Sequence, residues 1–315
     1  MSLFGKTNEP VFLKETSSAH RQLEQLQTID RSLLSENLIN QLDREIKLVS
    51  LGLQGEKLIE FELRNSHMPM YVLHDLYLEH GGLSAQIDFL VVTRGRVFVI
   101  ECKNLYGNIE INAKGDFIRT VYFGNRYQKD GLYSPITQNR RHLDLIMQIR
   151  RQEKGIIAKA IFEKYFFSNY RSVIVLANPK TVLNDKYAKK EIKSQVIRAD
   201  ALISHIRQVN SGEEYNNDKE IKSLAQFFLD AHIEREIDYT EKYRSQYQSN
   251  QQQIKNDTPL QKNTVVVTDS APHCPKCGSK MVLRTAKRGT VGKQFWGCIL
   301  FPKCRYTMAY SSNTA

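Results

Sequence analysis

The 315-residue sequence has no stretch approaching the ~18 uninterrupted apolar residues of a membrane helix. Its opening, MSLFGKTNEPVFLKETSS, lacks an apolar core followed by a small-residue cleavage site. Neither secretion nor membrane insertion is expected, and the expected location is the cytoplasm. The eight histidines are scattered, with no H-x3-H or similar spacing, so none is assigned to a metal. Cysteine is scarce and odd in number, five in all, yet four crowd into residues 274–304. That crowding reads as metal ligation rather than a disulfide framework. No internal repeat is present. Acid is missing from one region altogether: Ser270 to Ala315 carries eight Lys and Arg and no Asp or Glu. Of the 45 bases in the chain, the other 37 share the remaining residues with all 34 acids, so the formal charge of +11 belongs mainly to this tail. A basic block points to a polyanion partner, nucleic acid first, or else to a solvated tail that aids solubility.

The length predicts about two domains. Leucines and other apolar residues recur at helical spacing over 17–49, with Gly52 and Gly55 interrupting before a second amphipathic helix at Leu58–Leu63. Alternating and apolar runs predict strands at 70–79, 85–93, 96–104 and 107–112, and a hairpin over 117–128 around Gly124-Asn125. A helix is expected over 135–151, a buried strand over 171–178, and helices at 199–209 and 218–238. The organisation is then an N-terminal helical segment (1–50), an α/β domain (51–238), a flexible polar linker (239–272) and a cysteine module (273–315).

The module reads Cys274-x2-Cys277, twenty residues, then Cys298-x5-Cys304. Four thiolates at tetrahedral corners fill a zinc ion's coordination, so the metal is structural, one per chain, and supplies much of the folding energy of so short a segment. His273 could replace a ligand, but the four thiolates suffice. Phe295, Trp296, Phe301, Tyr306 and Tyr310 are interleaved with Lys and Arg, the combination that binds single strands by stacking and phosphate contact. Some of these rings could equally core the small ribbon.

The second constellation is Asp88 in AQIDFLVV with Glu101 and Lys103 in RVFVIECKN. Both strands are apolar, where an unpaired charge is costly. Strand periodicity puts Glu101 and Lys103 on one face and Ile100 and Cys102 on the other. The short turn at Arg94-Gly95 could bring Asp88 beside Glu101. Two carboxylates there make a hard-oxygen Mg²⁺ (or Mn²⁺) site, with Lys103 beside it to position a water or neutralise phosphate charge and Glu56 as a third carboxylate. The alternative is a purely structural buried ion pair. Cys102 itself reads as a core thiol.

Two stretches carry resemblances. CPKCGSKMVLRTAKRGTVGKQFWGCILFPKCRYTM resembles the C-terminal four-cysteine zinc finger of type IA DNA topoisomerases. The resemblance implies DNA binding, single strands preferred, with Lys287, Arg288, Lys293, Trp296, Phe301, Lys303, Arg305 and Tyr306 as candidate contacts. GLQGEKLIEFEL, VLHDLYL, AQIDFLVV and VFVIECKN resemble the nuclease-related domain (NERD) of the PD-(D/E)xK superfamily. That resemblance implies a restriction-endonuclease-like mixed sheet flanked by helices. It implies Asp88, Glu101 and Lys103 as the catalytic set, Glu56 as the helical acid, the Cys102 carbonyl as a further metal ligand, and Gln86 as a supporting residue. Gln138, which opens TQNRRHL, is similar to the start of a Q-x3-Y motif in exonuclease relatives, with His142 in the fourth position. The superfamily's Pro is absent, since Ile87 precedes Asp88. The expected function is Mg²⁺-dependent phosphodiester hydrolysis of DNA with the ribbon holding substrate. The alternative is a non-catalytic DNA-binding accessory protein. An RNA-directed nuclease is a third reading, and partner proteins are not indicated.

Overall fold

A computed structural model describes residues 9–152, 154–211, 214–245, 271–285 and 294–310. It divides into two units, 1–251 and 252–315. In the first, a six-stranded mixed sheet runs in the order β1-β2-β3-β4-β8-β10. The strands are β1 (Pro10–Lys14), β2 (Met70–His80), β3 (Leu83–Thr93), β4 (Val97–Lys103), β8 (Tyr170–Leu176) and β10 (Val196–Arg198). β2, β3 and β4 form an antiparallel meander, whereas β1, β8 and β10 join in parallel. A smaller sheet, β7-β6-β5-β9, consists of β5 (Asn108–Ile111), β6 (Phe117–Phe123), β7 (Arg126–Leu132) and β9 (Leu183–Asn184).

Helices cover both faces of the main sheet, which is why its strands are apolar on both sides. On one face α2 (Glu36–Arg64) and α6 (Leu202–Asn210) pack Ile59, Leu63, Leu202 and Ile206 against Val72, Phe89, Phe98 and Ile100. On the other, α3 (Pro135–Arg151), α4 (Ile156–Asn169) and α7 (Asp218–Asp230) contribute Leu143, Ile146, Phe166, Ile221 and Phe228. The expected mixed α/β sheet flanked by helices is thus present.

Three expectations need correction. Gly52 and Gly55 do not break the N-terminal helix; both lie inside the 29-residue α2. The break comes earlier, between α1 (Ser18–Gln27) and α2, where Asp30 and Ser35 cap a single 3₁₀ turn and the start of α2. Gly costs a helix about 1 kcal/mol relative to Ala, but at position 55 a Cβ would sit 2.7 Å from Asn104 Cβ and 2.9 Å from Cys102 Sγ. The glycine lets α2 lie directly on the end of β4. Secondly, α7 stops at Asp230, and the chain then hydrogen-bonds along β2, with Ile233 N donating to Tyr77 O at 3.0 Å. Thirdly, the polar segment does not become free at Tyr239. Tyr239 and the fully buried Tyr243 pack against Leu26 and Leu42, and Tyr243 donates to Glu45 at 2.6 Å. Most of the expected linker, 246–270, lies outside the described residues.

Gly55→Ala would wedge α2 away from β4, an overpacking cost of about 1–3 kcal/mol. Urea denaturation of the variant should show a lowered midpoint, whereas Gly52→Ala, with open space around it, should be neutral or slightly stabilising.

Candidate functional site

The β3–β4 ladder closes with Phe89 opposite Ile100. One position further, Asp88 and Glu101 stand across from each other with no ladder bond between their residues. Instead Asp88 Oδ2 accepts the Cys102 amide at 2.7 Å, so the carboxylate occupies the place of the missing backbone partner. The neighbouring strand is irregular at the same level. Asp75 has φ of +54°, a left-handed conformation unusual outside glycine. Leu73 and Leu76, three apart, both face the α3 side, as do Ile87 and Leu90 on β3. Alternation is therefore reset together in β2 and β3 around Asp75 and Asp88.

Glu101 is 2% exposed. Its Oε1 accepts from Lys103 Nζ at 2.5 Å and from Gln138 Nε2 at 2.7 Å, and Lys103 Nζ also donates to Gln138 Oε1 at 3.2 Å. Lys103 and Glu101 share a strand face as expected, and α3 delivers Gln138 to them. Glu101 Oε2 is buried with no hydrogen-bond partner, and the buried Nδ1 of His142 stands 3.8 Å away, also unpartnered. Glu56, the residue after the close-packed Gly55, accepts from His74 Nε2 at 2.9 Å and Ser17 Oγ at 3.3 Å. His74 is buried and stacks flat on Phe89, ring centroids 4.3 Å apart. The helical acid therefore reaches the site through a histidine clamp.

The electrostatics follow from burial. Burial, then the charges of Glu101 and Glu56, hold the Asp88 carboxyl well above its usual range. Burial also raises Glu101, against the pull of Lys103 and Gln138. Burial and the Lys103 charge push His142 down to about 4, so its ring is neutral at ordinary pH. Burial likewise raises the Cys102 thiol, whose side chain faces the apolar α2 side. These carboxylates repel one another, and a divalent cation relieves that repulsion. A hard cation fits the donor set because Glu101 keeps one buried, unpartnered oxygen and its charge acts on the Asp88 carboxyl. Glu56, Asp88 and Glu101 do not bring three ligand atoms within 4.8 Å of one another; among the described residues only the four cysteines do so.

Gln86 is placed elsewhere. Its amide donates to Asp75 Oδ1 at 2.6 Å and Ser18 Oγ at 3.0 Å, and its oxygen accepts from Arg235, so it braces the irregular strand instead of touching Glu101. His74, Asp75 and Asn139 were not anticipated. Asn139 is fully buried and ties α3 to the sheet through Val99 O at 2.8 Å and Ser172 Oγ at 3.0 Å, thereby fixing the helix that carries Gln138.

In the second unit, β11 (Met281–Thr285), β12 (Gln294–Cys298) and β13 (Thr307–Ala309) form an antiparallel sheet. Cys277 N and Gly278 N both bond to Cys274 O, curling the knuckle so that its sulfurs converge. All four sulfurs lie within 4.8 Å of one another, at 3.4 Å for Cys277–Cys298 and 3.7 Å for Cys274–Cys304. Tetrahedral zinc with 2.3 Å bonds requires about 3.8 Å between sulfurs. The Ser279 amide holds the Cys277 thiol down to about 6, while burial and its thiol neighbours push Cys298 up to about 12. Four sulfurs this close cannot all ionise without a cation among them, and the cluster fits structural zinc. Trp296 packs against the cysteines and meets Tyr310 edge-on at 5.9 Å, so that ring serves the ribbon core. Phe301, Tyr306, Lys303 and Arg305 are exposed. Lys287, Arg288 and Lys293 lie outside the described residues.

Comparison with known proteins agrees with both resemblances. The family model described as the nuclease-related domain matches residues 51–177. The model described as the topoisomerase DNA binding C4 zinc finger matches residues 272–313. The chain carries these two domains in that order. An uncharacterized protein of Bacillus anthracis is 32% identical over 114 residues, covering 35% of this chain and 52% of the relative. DNA topoisomerase 1 of Mycoplasma genitalium is 31% identical over 111 residues, covering 30% of this chain and 15% of that protein. The chain thus spans about half or less of the curated relatives it matches. No solved structure matches. The nuclease-related domain and the zinc ribbon together point to nucleic acid, and no described helix is long and apolar enough to cross a membrane.

Purified protein should carry one zinc per chain by atomic absorption, and Cys277→Ser should lose it with unfolding confined to the ribbon. Retention of stoichiometric zinc by that variant would place the metal elsewhere.

Proposed function

We propose that this chain is a metal-dependent nuclease that hydrolyses phosphodiester bonds of DNA, with the zinc ribbon gripping substrate, single strands by preference. The observation that carries the reading is Glu101 Oε2, buried without a partner, together with a partly buried Asp88 carboxyl that the Glu101 charge helps to hold protonated. An unpaired buried oxygen of this kind is costly unless something binds it. Asp88, Glu101 and the Cys102 carbonyl would hold Mg²⁺ or Mn²⁺, which when bound polarises the scissile phosphate and acidifies a water. Glu101 and Gln138 together fix the Lys103 ammonium, which would neutralise negative charge growing on the phosphate oxygens. Gln138, locked from behind by Asn139, keeps that ammonium from swinging away. Neutral His142 can accept a hydrogen bond but does not act as an acid at ordinary pH. The clamp of His74 and Ser17 fixes the Glu56 carboxylate, whose charge is felt at Asp88.

A second reading, a non-catalytic DNA-binding protein, draws on the Glu101–Lys103 pair, which is already satisfied as an ion pair. Cleavage assays on single- and double-stranded DNA and RNA separate the two. Mg²⁺ or Mn²⁺ should support cleavage, and Asp88→Asn or Lys103→Ala should reduce it by at least about a hundredfold, the usual scale for losing one electrostatic stabiliser. Wild-type rates in Lys103→Ala would remove the proposed site. DNA affinity of both variants should stay near wild type.

The raised Asp88 pKa has a further consequence for metal-free protein. A carboxyl that holds its proton more tightly when folded contributes stability at pH below its ordinary value of about 3.9, and that contribution is lost as pH rises through the folded value. Metal-free protein should therefore lose thermal stability as pH climbs above the ordinary carboxylate range, and Mg²⁺ should restore it. Asp88→Asn should abolish both effects; an unchanged pH profile in that variant would show that Asp88 is not the strained group.

A further inference from the structure

Between β4, which carries Glu101 and Lys103, and α3, which carries Gln138, the chain inserts β5, β6 and β7. The outer end of the β6–β7 hairpin is unlike an ordinary solvated turn. From Tyr122 to Lys129 the sequence YFGNRYQK holds three aromatics and two bases and no acid. Tyr122 and Tyr127 face each other across the ladder and are 59% and 65% exposed; Phe123, beside the turn, is 62% exposed. The two tyrosine rings are 6.2 Å apart and tilted by 51°, so they do not cover each other's faces. Lys129 lies two positions along from Tyr127 on the same face of β7, and Arg126 pairs with Phe123 on the other. The nearest acid on the strand, Asp130, is already bonded to Arg119 at 3.0 Å and Gln128 at 2.8 Å, so it does not neutralise either base.

We propose that this hairpin is a stacking surface for single-stranded nucleic acid, separate from the ribbon, that leads the strand toward the Glu101–Lys103 site. The proposal rests on the nucleic-acid reading of the core but not on its catalytic competence. Uncovered aromatic faces flanked by unneutralised cations suit bases and phosphates together, because every base offers a π-face and stacking tolerates any sequence. A cross-strand aromatic pair also stabilises a hairpin, yet that role alone calls for neither a third exposed ring nor a tip without acid. Placement adds to the case: the hairpin is joined in sequence on one side to the strand and on the other to the helix that build the site.

The test is photocrosslinking of the full-length Asp88→Asn protein to single-stranded oligothymidylate substituted with iodouracil, followed by peptide mapping. Crosslinks at Tyr122, Phe123 or Tyr127 are expected alongside those in the ribbon; crosslinks confined to 272–313 would overturn the proposal. In the same background, Tyr122→Thr and Tyr127→Thr, which keep strand propensity, should each weaken single-strand binding about fivefold or more without changing the salt slope. Arg126→Gln and Lys129→Gln should each flatten that slope by roughly 0.7. Unchanged affinity in the tyrosine variants, or a change in sedimentation showing that the rings join two copies of the chain, would also overturn it. Loss of cleavage with crosslinking intact would count against the catalytic reading and leave this surface standing.

Discussion

The structure depends most on the cost of placing two carboxylates inside a sheet. Glu101 is buried and Asp88 partly so, and the loss of solvent raises both their carboxyls. Around them the fold departs from regularity: the β3–β4 ladder stops one pair short, Asp88 takes over a backbone amide, and Asp75 on the next strand adopts a left-handed conformation. Such departures cost of order 1–3 kcal/mol each and persist only where the surroundings impose them. Here the surroundings are apolar clusters on both faces of the sheet, firm enough to hold an irregular centre.

The second level of organisation is the support given to each charged group. Gly55 brings α2 against β4, and the next residue, Glu56, is then clamped by a histidine stacked on Phe89. On the opposite side Asn139 fixes α3 to Val99 and Ser172, and Gln138 one residue earlier bridges Glu101 and Lys103. Glu56 and Glu101 are thus each oriented by a polar side chain, whereas Asp88 is held by the Cys102 amide. Among the buried atoms left without a partner, Glu101 Oε2 and His142 Nδ1 stand 3.8 Å apart, and Asn139 Oδ1 lies on the same helix as His142.

Much of this was legible in the sequence because it is governed by period two. A hairpin centred on Arg94-Gly95 puts residue 88 across from residue 101, and alternation puts Lys103 beside Glu101. The reset in MYVLHDLYLE is legible too, since apolar Tyr71 and Leu73 change phase to Leu76 and Leu78 across His74-Asp75. It marks the residues that were missed. Gly55 was misread because its value is tertiary: propensity counts its helical cost, whereas the close contact with Cys102 and Asn104 becomes visible only when α2 lies on the sheet. Gln86 was expected only as a supporting residue, and periodicity does not say that its partner is Asp75. Trp296 had two readings from composition, and its partly buried ring packs on the cysteines.

The cysteine cluster and the carboxylate pair solve opposite problems with the same physics. In the ribbon, four sulfurs converge in a segment with almost no apolar core of its own, so the cation that neutralises them also supplies the reason to fold. In the core, the sheet is held by dozens of buried apolar side chains. Stability supplied by packing can instead hold like charges together against their repulsion. A zinc site built from filled ligand positions is inert, whereas the carboxylate pair keeps a buried oxygen without a partner. That difference in what pays for convergence, metal in one unit and packing in the other, is why we propose chemistry for the core and grip for the ribbon.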